Sequence, residues 1–571
     1  MKIKAGGEQA SRAERVGVAS SALILVVWAL WRTQFGADRG DGAHSVVMAI
    51  RLADGAVPFV DEMNAQATGS FLAVPFTWLW VHVVGLDGIV LASRLFFVAL
   101  SAAACYIAYR ALRPSFRPWV AFTIPAAALV PTSFNLMLVN YTTAPSITLV
   151  VATAAAHAAI VRHSGRWAAV SGASAAIAGF SHPAAIPPAA LLLVICFVVA
   201  RDRRVRLLLS VGAAAVVLVA FAWLVVVVGV SNVRDTLTYT SDYQAVRPHP
   251  VERIKVFLRT FENGLVSWRY LPMWILAVMA LVPRIGERVR ATLLVAVVVA
   301  AAVPSLLLSG ATDLPPFPFG RYSGVYATIV MIVLLVPVAV EGFRSRDGHV
   351  RTLLVLALPP ALLSLPVTAA VSSASPLWGV AVLGLAPAFG AIVAMPAILA
   401  PHRTQAVAAC FVGVSLVAAM GVQTLFSFRD PAPWNTTTRI TAGAYAGIRT
   451  TSEHATLAET ERRVIRRWSG PDDSVFAYGS VSAYLYVRGR IDTNIIWMPT
   501  DGPSTQFTID FFERTDDFPD VVFISEGGTR VADLGEQQWR ADQPLVDYFY
   551  AHYDKVDIGE HYLIFRKRAN G

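Results

Sequence analysis

VGVASSALILVVWALW, residues 16–31, decides the fold class. The run carries no charge and follows Lys2, Lys4, Arg12 and Arg15, the layout of either a secretory signal or a membrane anchor. No small-residue cleavage pattern comes before the charged loop that follows, so the run is predicted to remain as a signal anchor with the N-terminus in the cytoplasm. Apolar runs near the roughly 20 residues of a membrane span recur as far as residue 426. With 56% hydrophobic and 15% charged residues and a mean hydropathy of +0.56, the chain reads as a polytopic α-helical membrane protein. A soluble fold with buried helices does not account for so many spans.

The net charge of +9 could suggest a nucleic-acid binder, but the positions of the arginines argue otherwise. They sit in short loops between apolar runs: Arg110, Arg113 and Arg117; Arg201, Arg203, Arg204 and Arg206; Arg344, Arg346 and Arg351. That is the positive-inside pattern of cytoplasmic loops, and no basic surface interleaved with aromatics is present to take nucleic acid. Only five of the 47 basic residues are lysine, a usage that a GC-rich bacterial genome encodes, and a bacterial plasma membrane is the expected location. Cys105, Cys196 and Cys410 lie in three separate apolar segments and offer neither a disulfide framework nor a metal cluster.

With the N-terminus inside, the first helix carries residues 32 to about 70 across the membrane. RALRPSFR, residues 110–117, should lie inside again, which requires an even number of crossings before it. FLAVPFTWLWVHVVGL, residues 71–86, is short, Trp-rich and interrupted by Pro75, so it reads as an interfacial or re-entrant helix rather than a span. Further spans are placed near 88–109, 119–134, 143–161, 168–181, 184–200, 207–230, 271–283, 291–309, 322–342, 352–372, 376–399 and 406–426. The total is about thirteen, an odd number, which puts the C-terminal part outside with the acidic loop.

The domain reading is therefore a transmembrane part, 1–427, and an extracytoplasmic α/β domain, 428–571. TLAETERRVIRRW (456–468) has helical spacing with a Thr-x-x-Glu start, VFAY (475–478) and DVVFI (520–524) read as buried strands, and 547–568 as a helix followed by two strands. A stretch at 251–263, within an outer loop, is amphipathic.

The loop 32–70 gathers Asp38, Asp41, Asp54, Asp61 and Glu62 in a chain with only 38 acidic residues among 571. With AIRLADGAVPFVDE (49–62), ASRLFFVALSAAACYIAYRAL (92–112) and GRYSGVYATIVMIVLLVP (320–337), it resembles the GT-C glycosyltransferases, in particular bacterial enzymes similar to protein O-mannosyltransferases and aminoarabinose transferases. The similarity extends over nearly the whole chain. The chain departs from it in having Asp41-Gly42 where the family often has Asp-Glu, and His182 near where the family often has Lys.

The resemblance implies a polyprenyl-phosphate sugar donor and an acceptor that is an envelope glycan, a lipid or a protein. Such a transfer needs a base for the acceptor hydroxyl and positive charge for the departing phosphate. Asp41 is the candidate base. It reads equally well, on the residues alone, as the cap of a helix starting at Ala43. Asp61 and Glu62 are candidates for orienting the acceptor or binding a cation, or form a solvated loop pair. Asp38 stands three residues from Asp41, a spacing that could converge on a divalent cation.

Arg321, placed outside against the positive-inside bias and at the mouth of a span, is the candidate for the phosphate, with Tyr322 beside it. Snorkelling to lipid headgroups is its alternative reading. His182 and Arg269 are further substrate-binding candidates, each with a structural alternative. The competing functional classes are a transporter or lipid flippase and a glycopolymer polymerase or ligase. Against transport, the charges stand at span ends and no internal repeat of broken helices is visible.

Overall fold

The computed structural model describes residues 12–64, 66–245, 249–265, 271–280, 323–345, 347–371, 382–399, 405–425, 430–496, 503–525, 544–558 and 562–568, and scattered positions between 282 and 300. Its helices are α1 (Arg12–Arg32), α2 (Asp41–Ala53), α3 (Val74–Val83), α4 (Ile89–Leu112), α5 (Pro118–Leu129), α6 (Thr143–Arg162), α7 (Gly165–Ser181), α8 (Ile186–Val199), α9 (Arg203–Trp223) and α10 (Val230–Ala245). Then come α11 (Pro250–Leu265), α12 (Leu271–Ala280), α13 (Ser323–Arg344), α14 (Gly348–Val371), α15 (Val382–Leu399), α16 (Gln405–Leu425), α17 (Ser452–Trp468), α18 (Pro503–Thr515) and α19 (Pro544–His552). The chain divides into two compact units, one of residues 1–33, 97–221 and 249–433, the other of residues 34–96, 222–248 and 434–571. The second unit thus takes in the acidic loop, which the sequence reading had grouped with the membrane part.

The first unit is helical and its core is built largely from alanine: Ala152, Ala155, Ala156, Ala158 and Ala159 of α6 are all fully buried. Small side chains let helix backbones approach closely where no water drives association. A Cβ on Gly172 of α7 would stand 2.1 Å from the Leu209 carbonyl oxygen, and one on Gly212 of α9 would stand 2.2 Å from that of Ala169, so only glycine fits this crossing. His163, left-handed at φ 50°, ends α6 and lets α7 turn back on it. Ser171 Oγ donates to the Ala152 carbonyl at 3.0 Å and ties the two helices.

Among the described residues five helices are long and apolar enough to cross a membrane: Arg12–Arg32, Ile89–Leu112, Thr143–Arg162, Arg203–Val228 and Gly348–Ala370. A sixth is counted if Ala327–Val336 and Val338–Arg344, bent by 51°, form one span. Thirteen full-length spans are therefore not what the described chain shows. The run expected at 119–134 is helical only over Pro118–Leu129, with Pro125 inside it and a 3-10 turn at Ser133–Asn135. The segment expected at 71–86 gives the ten-residue α3, short of a span, with Trp78, Leu79 and Val83 exposed.

The second unit holds a two-stranded ladder, β1 (Thr438–Arg439) with β2 (Arg449–Thr450), and a five-stranded sheet. The sheet consists of β3 (Ser474–Tyr478), β4 (Arg490–Ile491), β5 (Val521–Ile524), β6 (Tyr553–Ile558) and β7 (Leu563–Lys567), in the order β4-β3-β5-β7-β6. β3 runs parallel to β4 and β5, while β7 is antiparallel to β5 and β6. Every residue of β3 and β5 is buried, as continuous apolar strands covered on both faces must be. Phe476, Phe512, Phe549 and Phe565 pack around the sheet. α17 begins at Ser452, a turn before the Thr456 start expected from sequence, because Thr451 is the cap and accepts from the His454 N–H at 3.2 Å.

Candidate functional site

Within the second unit the acidic loop is pinned before α2 begins. Gly36 N–H donates to the Arg449 carbonyl at 2.9 Å and Arg449 N–H to that of Gln34 at 2.7 Å, so the loop extends the β2 edge. The left-handed φ of +90° at Gly36 suits glycine. Arg94, buried, donates to the carbonyls of Phe35 at 3.0 Å and Gly36 at 2.6 Å. The Tyr445 hydroxyl donates to the Asp38 carbonyl at 2.7 Å.

The next residue, Arg39, pairs with Glu461 of α17 at 2.9 Å. Glu461 is buried and also accepts from the hydroxyls of Ser480 at 2.6 Å, Ser482 at 2.7 Å and Tyr562. Burial alone would raise its carboxyl pKa, but the Arg39 guanidinium and these hydroxyls hold it below the usual range. A buried charge so fully satisfied fixes the backbone around it.

At the start of α2 the cap is supplied by Asp38. Its carboxylate accepts the N–H of Gly40 at 2.8 Å and of Gly42 at 2.6 Å. A Cβ at position 42 would stand 2.8 Å from that carboxylate oxygen, which gives a local reason for Gly42 after Asp41. Asp41 is the first residue of α2 and in partial contact with solvent, whereas Gly42 through Leu52 are all buried. Sequence reasoning passed over His44, one turn on from Asp41 at the i+3 spacing that places two side chains on one helix face. Burial pushes its pKa down to about 4 and keeps it neutral.

The other acidic pair lies at the far end of the same helix. Arg51 donates to Glu62 at 2.8 Å, to the Asp61 carbonyl at 2.7 Å and to the Thr493 carbonyl at 2.6 Å. Glu62 is 0% exposed and also accepts the Ile496 N–H at 3.1 Å. Burial pushes its pKa up to about 7 against the pull of Arg51. This is not the solvated pair that was one sequence reading. Asp61 is half-buried, and its carboxylate accepts the Val57 N–H at 2.6 Å.

Ten residues separate Asp41 from Arg51, about 15 Å of helix axis, so Asp41 and the Asp61–Glu62 pair do not form one cluster. Among the described residues no group of three or more His, Cys, Asp or Glu stands ready to hold a metal ion. Both oxygens of Asp38 face backbone N–H groups, a donor environment that does not suit a cation.

In the first unit, His182 is buried at the turn between α7 and α8. Its Nδ1 accepts from the Ala184 N–H at 2.9 Å, its ring stacks on Tyr141 with centroids 5.7 Å apart, and Nε2 has no partner among the described residues. The same unit holds an apolar cavity of about 270 Å³ between α1, α4 and α5, lined by Leu25, Trp28, Ser101, Cys105, Tyr109 and Phe122 among others. Arg269, Arg321 and Tyr322 lie outside the described residues.

No family model matches the chain, and no curated protein matches its sequence. Among solved structures it is similar to ArnT from Cupriavidus metallidurans, in the apo state at 13% identity and a TM-score of 0.45, covering 98% of this chain and 99% of that one. The same protein bound to undecaprenyl phosphate gives 14% identity and a TM-score of 0.44, over 98% and 99% of the two chains. The archaeal oligosaccharyltransferase AglB from Archaeoglobus fulgidus, in complex with an inhibitory peptide and a dolichol-phosphate, gives 12% identity and a TM-score of 0.44, over 98% of this chain and 75% of that one.

Proposed function

We propose that this chain is an integral membrane glycosyltransferase that moves a sugar from a polyprenyl-phosphate donor to an acceptor hydroxyl outside the cytoplasm, with Asp41 as general base. The Asp41 carboxylate takes the hydroxyl proton as the acceptor oxygen attacks the anomeric carbon. The bond from that carbon to the phosphate oxygen breaks, and its electron pair leaves with the polyprenyl phosphate. Arg321 is proposed to meet the phosphate charge through its planar fork, with Arg269, Tyr322 and His182 as further contacts to substrate. The apolar cavity between α1, α4 and α5 suits part of an isoprenoid chain. Asp61, half-buried, is proposed to face the acceptor, while Glu62 holds the loop through Arg51.

The observation that carries the reading is the division of labour at the start of α2. Asp38 does the capping, so capping does not account for Asp41, which stands at the solvent-contacting end of an otherwise buried helix on a loop fixed by Arg39, Arg94 and Tyr445. The test is sugar transfer by the purified protein in lipid, with a panel of radiolabelled polyprenyl-phosphate sugars and an envelope acceptor fraction. Label passing from one donor class to the acceptor supports the reading. Label that crosses the bilayer still attached to its lipid would instead favour a flippase.

A further inference from the structure

A second cavity, of about 220 Å³, lies within the second unit between α10 and α18, with Met63 of the acidic loop contributing to it. Its floor is apolar and aromatic: Met63, Tyr239, Phe507 and Phe511. Tyr239 and Phe507 meet edge to face with centroids 5.0 Å apart. Its rim is polar, with Asp235 and Thr238 from α10 and Asp510 and Arg514 from α18. Arg514 and Asp235 are only loosely paired, at 3.5 Å and both about half exposed, so a ligand displaces that contact at little cost.

Two buried polar atoms have no hydrogen-bond partner among the described residues, the hydroxyl of the floor residue Tyr239 and Oε1 of Glu62, the neighbour in sequence of the floor residue Met63. The two are close enough for the Glu62 charge to act on the Tyr239 phenol. Buried polar atoms without partners are uncommon and mark sites that a ligand or water completes.

The lining selects a ligand with one apolar face and a ring of hydroxyls. An apolar ligand would strip water from the two rim carboxylates and the guanidinium, whose contacts are the loose Asp235–Arg514 pair and the Gln506 amide donating to Asp510 at 2.9 Å, and would replace that water with no hydrogen bond, which is costly. A small ion would leave the aromatic floor uncovered. A sugar ring presents C–H groups to the aromatic faces and O–H groups to carboxylates that accept and a guanidinium that donates. The volume admits one six-membered ring.

We propose that this cavity binds a neutral pyranose, a carbohydrate subsite that commits the acceptor of the transfer reaction to being a glycan. The proposal deepens the transferase reading and rests on it for its biological sense, but its test does not use transfer. Saturation-transfer NMR on the full chain in lipid nanodiscs, carrying Asp41→Asn and with no donor present, reads binding of methyl hexopyranosides directly.

The expected result is saturation of the sugar ring C–H protons. Affinity should fall about fivefold or more for Phe507→Leu, which keeps the apolar volume and removes the ring face, and for Asp510→Asn. The thermal midpoint of each variant, measured alongside, confirms that the second unit is folded. No saturation at tens of millimolar sugar, equal binding by the variants, or preferential binding of tetramethylammonium over every sugar would each overturn the proposal. Sugar binding by a chain that transfers nothing from any donor would keep the subsite and remove the transferase reading. Transfer by a chain that binds no sugar here would do the reverse.

Discussion

The two ends of α2 use their carboxylates in opposite ways. At the C-terminal end Glu62 is sealed from solvent and matched to Arg51, with Thr493 and Ile496 closing the arrangement. At the N-terminal end Asp38 satisfies the helix and Asp41 keeps contact with water, on a loop held by Arg39, Arg94 and Tyr445. Removing a charge from the first end should damage the fold, and removing one from the second should damage chemistry.

The largest effect is expected at Asp41. Asp41→Asn should lower turnover by about 10² to 10⁴, the usual worth of a general base, and lower stability by no more than the ~1 kcal/mol of a first-turn helix charge. A larger fall in stability alongside activity would give Asp41 the structural role assigned here to Asp38.

Next is Arg51→Met, which strands Glu62 as a buried uncompensated carboxylate and should cost about 3–5 kcal/mol of stability. The double variant Arg51→Met/Glu62→Leu should recover more than half of that loss in thermal or denaturant unfolding. Failure to recover would mean that the carbonyls of Asp61 and Thr493, and not the charge, are what Arg51 serves.

Much of this was legible in the sequence, and the exceptions have physical causes. Helices such as α4, α6 and α14 announce themselves as long apolar runs, and β3 and β5, buried throughout, as short β-branched and aromatic runs. Asp41 could not be told from a cap, since Asp38 and Asp41 both precede the same apolar run and the choice depends on backbone angles around Gly40. Glu62 could not be seen as buried, because the Ile496 N–H that donates to it and the Thr493 carbonyl that accepts from its partner Arg51 lie more than four hundred residues away. The grouping of 34–96 and 222–248 with 434–571 is tertiary in the same sense. The run expected at 119–134 ends as a helix at Leu129, four residues past the Pro125 that the helix contains.

A smaller effect follows from the raised pKa of Glu62, about 7 in the fold against 4.5 for the free side chain. Between these values the folded chain holds a proton that the unfolded chain has lost. The stability Glu62 contributes is therefore full below about pH 4.5 and is lost as pH rises through 7, by up to about 3 kcal/mol. Glu62→Gln should flatten unfolding midpoints across that window, and an unchanged slope would place the titration elsewhere.

The smallest effect is expected at Asp38. Asp38→Ala should cost about 1 kcal/mol, the worth of a helix cap, and relieve the crowding that excludes a side chain at position 42. Gly42→Ala should therefore be better tolerated beside Asp38→Ala than alone, as a double-mutant cycle of unfolding free energies would show.

The most direct test of the account is the single-turnover rate of sugar transfer at saturating donor, measured for the wild type, Asp41→Asn and Asp61→Asn in the same lipid preparation. The account predicts a loss of about 100-fold or more for Asp41→Asn, with donor binding retained and a far smaller loss for Asp61→Asn. Equal rates for the wild type and Asp41→Asn would contradict it and move the base to the other end of the helix.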